Sequence, residues 1–228
     1  MPLVASADEV LKETDLLIAK RKRSRRLIGS SARQGIDVSH YQHIINWQEV
    51  ASDDNVSYVY IKCSEGASIK DDRYLINREG AHKAGIPMGA YHFYRSDVSP
   101  EEQLRNMSEI AKKEDFDLAP MIDVETRGDV AHARFIADLK KFAKLVGEYY
   151  DCKPIFYTGQ NFYNKYLAGE FKGYNWMIAK YNGEEPILDD GLNYTFWQYS
   201  SKGHVNGIKG NVDRSCLMEG FSLSDVEY

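Results

Sequence analysis

The sequence predicts an α/β fold, an irregular (β/α)8-type barrel in which some helices are shortened or missing. Three observations carry that expectation. After Gln34 the chain alternates short, apolar, β-favouring runs with stretches of helical periodicity, the pattern of parallel strands joined by crossover helices. Eight such runs can be counted, the number that closes a barrel of this kind. The later connections are too short for full helices, so the barrel should be irregular.

The first run is Gly35 to Ser39 and the second Ser57 to Cys63, followed by Ser64-Glu65-Gly66 and a helix over roughly residues 72–84 that stops at Gly85. Glycine there fits the left-handed turn that ends helices. Ile86 to Phe93 is the third run, and a helix follows over about residues 100–113, where Ser99 and Glu102 stand at capping-box spacing. The fourth run, Leu118 to Thr126, carries Asp123 and Glu125, and a helix over about residues 130–150 returns the chain. Pro154 to Thr158, Asn175 to Lys180, Thr195 to Tyr199 and Gly210 to Asp213 complete the set.

The fourth run matters most for chemistry. Side chains alternate across a strand, so Asp123 and Glu125 share one side while Ile122 and Val124 take the other. Two carboxylates whose Cα atoms are roughly 6.6 Å apart in apolar surroundings tend to keep one proton between them near neutral pH. A metal site, an ion-paired strand end and a catalytic pair are all compatible with Asp-x-Glu alone. In a barrel, chemistry gathers at the C-terminal strand ends. Those ends carry Asp37, Glu65, Tyr91 and His92, Asp123 and Glu125, Tyr157, Lys180, Trp197 and Gln198, and Asp213.

Composition narrows the partners. At 228 residues, 43% hydrophobic and 28% charged, the chain reads as a globular protein with one sizeable core. The 16 Tyr suit a surface that meets sugars through flat rings with a polar edge. The formal net charge is -5, yet residues 1–33 hold eight Lys or Arg against four Asp or Glu, which leaves the rest at -9. An acidic body with a basic arm argues against nucleic-acid binding by the whole fold. Lys20 to Arg26 places six positive charges in seven residues, with no signal-peptide apolar core after it. Residues 1–33 are therefore expected to be a basic N-terminal arm, helical or mobile, and residues 34–228 the barrel domain. Cys63, Cys152 and Cys216 lie far apart without Cys-x-x-Cys spacing, so buried thiols are expected, with a single disulfide open and no zinc site indicated.

The ordered set of motifs has a further meaning. Gly35-Ile36-Asp37-Val38-Ser39-His40-Tyr41-Gln42 with Ile45-Asn46-Trp47, Tyr60-Ile61-Lys62-Cys63-Ser64-Glu65-Gly66, Gly85 to Phe93, Asp123-Val124-Glu125, Tyr157-Thr158, Trp197-Gln198-Tyr199-Ser200, Val205-Asn206-Gly207-Ile208 and Val212-Asp213 together resemble glycoside hydrolase family 25, the lysozymes of bacterial peptidoglycan. The likeness covers about residues 34–221. Cys63 stands where the family more often has a small residue such as Ala.

The resemblance implies hydrolysis, without a cofactor or metal, of the β-1,4 bond between N-acetylmuramic acid and N-acetylglucosamine. On that pattern Glu125 resembles the general acid and later base, Asp123 its partner, and Asp37 and Asp213 two further acids on the floor of the site. Tyr91, Tyr157, Trp197 and Gln198 resemble substrate-contacting residues. His92 is expected to be a hydrogen-bonded structural residue, because carboxylates already fill the acid and base roles. The implied partner is the glycan strand of peptidoglycan, met at the cell wall by a secreted or envelope enzyme, with a monomer and no stable protein partner expected. Two other readings fit the same residues: a metal-dependent hydrolase holding a hard cation on the four acids, and a non-catalytic glycan-binding module.

Overall fold

The computed structural model describes residues 34–228 and Lys12. The expected arm within residues 1–33, that lysine apart, lies outside the described residues. Nine strands are present among the described residues: β1 (Gln34–Val38), β2 (Tyr58–Glu65), β3 (Ile69–Lys70), β4 (Met88–Phe93), β5 (Met121–Asp123), β6 (Ile155–Gly159), β7 (Trp176–Ala179), β8 (Phe196–Gly203) and β9 (Val212–Leu217). They form one sheet in the order β1-β9-β8-β7-β6-β5-β4-β2-β3, and pairing of β1 with β2 closes eight of them into a barrel. Strand β3 is a short hairpin partner of β2 at the rim.

The barrel is mixed. Strands β1, β2 and β4 to β8 run parallel to their neighbours, but β9 is antiparallel to both β8 and β1. The sequence reading placed Asp213 at the C-terminal end of its strand; it stands instead near the start of β9. Because β9 runs the other way, its beginning lies at the mouth where the parallel strands end, and Asp213 pairs directly with Asp37.

Helices cover only part of the barrel: α1 (Trp47–Ala51), α2 (Tyr74–Lys83), α3 (Pro100–Ile110) and α4 (His132–Tyr150). Ser99 caps α3 through Oγ, which accepts from Glu102 N and donates to Glu102 Oε2. After β6 only a helical turn at Gln160–Phe162 and one π-turn at Tyr163–Leu167 follow, and none of the described helices separates β7 from β8.

Alternation along each strand sorts side chains into two cores. Outside, Ile36, Val59, Ile61, Ile122, Phe156, Trp176 and Trp197 pack against the helices and loops. Inside, Tyr58, Tyr60, Met121, Ile155, Met177, Phe196 and Leu217 fill the barrel below the mouth. The expected fourth strand is shortened to Met121–Asp123 because Pro120 has no N–H to give to a ladder, while Leu118 bridges Glu227 and Ala119 N donates to Val226 O. The C-terminal segment thus stoppers the base of the barrel.

Glycine makes room for the aromatic plug. A Cβ at Gly35 would lie 2.1 Å from the Tyr58 ring and one at Gly89 2.4 Å from the Tyr60 ring, and both rings are fully buried. Gly89→Ala should therefore lower stability by about 1 to 3 kcal/mol through overpacking, read as a reduced urea midpoint at unchanged slope. An unaltered midpoint would show that Tyr60 has space to withdraw and that the plug is loosely packed.

Candidate active site

At the mouth the barrel opens into a pit of about 80 Å³. Its walls are Asp37 from β1, Tyr91 from β4, Asp123 from β5 with Glu125 just beyond, Tyr157 from β6, Gln198 from β8 and Asp213 from β9, over Met121. Since one liquid water occupies about 30 Å³, such a pit admits a few waters or one small substituent, not a whole sugar ring.

Two walls differ in chemistry. On one, Asp123 is buried and Glu125 stands at the lip. Burial holds both carboxyls above their ordinary range, Asp123 strongly so, with the charge of Glu125 adding to the effect on Asp123; the Lys62 ammonium opposes both shifts. The pair therefore retains a proton at pH values where free carboxylates have lost theirs. Asp123 Oδ1 is buried without a hydrogen-bond partner, an arrangement that is expensive unless something else completes it. Lys62 is itself held by Glu65, Nζ to Oε2 2.7 Å, and Glu65 accepts Arg95 Nε at 2.9 Å.

The opposite wall is a hydrogen-bonded relay. Tyr157 and Tyr181 donate their hydroxyls to Gln198 Oε1 at 2.9 and 2.6 Å, which turns Gln198 Nε2 toward Asp37 Oδ2 at 3.0 Å. Burial raises Asp37 to about 7, with the Gln198 bond opposing and the Asp213 charge adding. Asp213 is raised to about 6 by burial and by the Glu125 charge.

Of the eight site residues expected from sequence, seven meet in this pit and Trp197 does not. Its side chain is fully buried on the outer face, with Nε1 donating to Lys180 O at 2.9 Å, so the ring is not available to a sugar. The reason is parity: neighbours on a strand face opposite ways, and Gln198 takes the inward position. His92 likewise faces outward from Tyr91. It lies 2.8 Å from Ser64 Oγ and 3.2 Å from Gln103 Oε1, and burial lowers its pKa to about 4. It is a neutral structural histidine. Cys63, Cys152 and Cys216 are free thiols. Tyr181, absent from the expected set, shares the inward parity of Met177 and Ala179 one position past Lys180, a signal present in the sequence. Lys62 could have been found the same way, from Tyr58 and Tyr60.

Comparison with known proteins is specific. The model of glycosyl hydrolases family 25 matches residues 36–208. The chain belongs to that family. Lysozyme M1 of Streptomyces globisporus is 31% identical over 202 residues less one, that is 201, covering 82% of this chain and 68% of its own. The uncharacterized protein YegX of Escherichia coli (strain K12) is 35% identical over 192 residues, covering 82% and 70%. Among solved structures, the bacterial lysozyme from Streptomyces coelicolor superposes with a TM-score of 0.75 at 28% identity, covering 86% of this chain and 96% of that one. A family 25 glycosyl hydrolase from Bacillus anthracis gives 0.76 at 26%, covering 82% and 89%. The family 25 chain described here is thus a glycoside hydrolase on the barrel of its relatives.

For this family 25 enzyme the raised acids carry a stability penalty with a definite sign. Folded Asp37 keeps its proton to about pH 7, whereas 3.8 is the ordinary value. Its contribution to stability is therefore full below pH 3.8 and lost as pH rises through about 7. Asp37→Asn stays neutral throughout and can still accept from Gln198. In thermal melts it should exceed the wild type at pH 8 by a margin on the order of 2 to 4 kcal/mol and converge with it near pH 4. Equal offsets at both pH values would show that Asp37 is not held protonated.

Proposed function

We propose that this family 25 hydrolase, a lysozyme-type enzyme of the bacterial cell wall, cuts the β-1,4 bond between N-acetylmuramic acid and N-acetylglucosamine, with Glu125 as acid and then base and Asp123 assisting. The observation that carries this reading is the unpartnered Asp123 Oδ1 in a pit sized for a substituent. A 2-acetamido group supplies what is missing there: an N–H for Asp123 and a methyl for Met121.

The steps follow from the geometry. With the acetamido group seated, its N–H favours ionised Asp123, so the proton shared by the pair goes to Glu125 beside the glycosidic oxygen. Glu125 gives that proton to the leaving oxygen as the C1–O bond breaks, and the acetamido carbonyl oxygen attacks C1. The resulting oxazolinium cation is stabilised by the Asp123 carboxylate. Glu125, now ionised, takes a proton from water, whose oxygen attacks C1 and reopens the ring. Atoms and charges balance, and no covalent bond to the protein forms. Asp37 and Asp213 close the far wall, with Gln198 and Tyr157 holding Asp37 in place.

Glu125→Gln keeps the shape of the lip and its hydrogen-bonding atoms but cannot deliver a proton. Turnover on purified peptidoglycan should fall about 10²- to 10⁴-fold while glycan binding persists, and wild-type digests should show new reducing ends on N-acetylmuramic acid by mass spectrometry. A Glu125→Gln variant with a few tenths of wild-type activity would remove Glu125 from the acid role. Reducing ends on N-acetylglucosamine would assign the other bond.

A further inference from the structure

A second cavity, of about 600 Å³, adjoins the pit. It lies between the turn after β6 and the end of β7, and the one residue it shares with the pit is Glu125. The cavity on the other flank, lined by residues that include Arg95, Thr126 and Arg134, shares none. The proposed proton donor therefore stands on the boundary between the pit and a single groove. We propose that this groove is the binding site for the leaving half of the glycan, an uncharged N-acetylhexosamine at its reducing side, and that Asn161 and Asn182 determine its recognition. The assignment rests on the lysozyme reading given above.

The chemistry of the walls fits such an occupant. Gln160, Asn161 and Asn182 bring three amides to the groove. Gln160 Oε1 accepts from Ile187 N at 2.9 Å and Asn182 Oδ1 from Glu184 N at 3.1 Å, so what these two offer a ligand is N–H donors. Hydroxyl oxygens and the carbonyl of an acetamido group are matching acceptors. Asn161 is exposed and makes no hydrogen bond among the described residues. Apart from Glu125 the lining holds no carboxylate, and Gly159 and Ala179 leave the floor open.

Tyr181 supplies a platform. Its hydroxyl is tied into the far wall, 2.6 Å from Gln198 Oε1 and 3.4 Å from Tyr157 Oη, while the residue remains 52% exposed. A ring anchored at one end and open on its face loses little freedom when a sugar stacks on it. The volume also falls in the usual range for ligand sites, about 300 to 1,000 Å³. A glycan seated this way has its acetamido-bearing donor sugar over the pit, its scissile oxygen at Glu125 and its leaving sugar on Tyr181.

The test compares two substrates that differ only on the leaving side: a β-1,4-linked tetrasaccharide of the peptidoglycan backbone, and the β-glycosyl fluoride of the corresponding disaccharide, whose leaving group is a single atom. For Asn161→Ala the ratio of kcat/KM on tetrasaccharide to that on fluoride should fall between about 2-fold and 10-fold, the effect of one lost hydrogen bond. Adding Asn182→Ala should lower the ratio further. A ratio that stays at the wild-type value in the double variant, with its melting temperature retained, overturns the groove assignment. Wild-type enzyme that hydrolyses neither substrate overturns the lysozyme reading itself, and the groove assignment with it.

Discussion

Water is largely excluded from the mouth of this barrel, and that constraint governs the site. Two carboxyls on one wall and two on the other face a pit that holds only a few waters. In such surroundings a carboxylate is poorly solvated and each neighbouring anion makes ionisation harder. The burial of Asp37, Asp123 and Asp213 raises all three, and the site as a whole keeps protons that the same acids would release in water. A proton donor and an anion can then coexist a few ångströms apart, which is what glycosidic cleavage asks of them.

The fold imposes this dryness through strand parity. Inward positions below the acids are aromatic or large and apolar, with Tyr58, Tyr60 and Phe196 in mutual ring contact. They leave no aqueous channel behind the pit, so solvent reaches the acids from the mouth alone. The reversed strand β9 serves the same end. A parallel eighth strand would carry the start of that segment to the base of the barrel; the antiparallel one brings Asp213 beside Asp37. The outer layer is separately organised: Gln103 accepts His92 and Arg95 N through Oε1 and donates to Arg95 O and Val98 O, fixing the loop after β4.

Much of this was legible in the sequence. Eight apolar runs, their order and the acids at their ends are local features, and local features survive in a one-dimensional reading. Asp37, Asp123, Glu125 and Asp213 were found because charge after an apolar run is conspicuous. What escaped depended on which way a side chain turns or a strand runs. Trp197 looked suitable because tryptophan stacks on sugars, but the alternation that turns Gln198 inward turns Trp197 out. Tyr181 was overlooked because it lies just past the apolar run that marked β7. The direction of β9 has no local signature: a hairpin from β8 and a crossover to a parallel strand differ chiefly in the length of the connection.

The pairing of Asp123 with Glu125 makes a stereochemical commitment. If the acetamido group attacks first and water second, two displacements at C1 return the original configuration. NMR of the anomer first released from a β-1,4-linked peptidoglycan oligomer, followed before mutarotation, reads this directly. A β product is expected. An α product would mean that water attacks C1 in a single displacement, with Asp123 as its base, and would contradict the role assigned here to the pair.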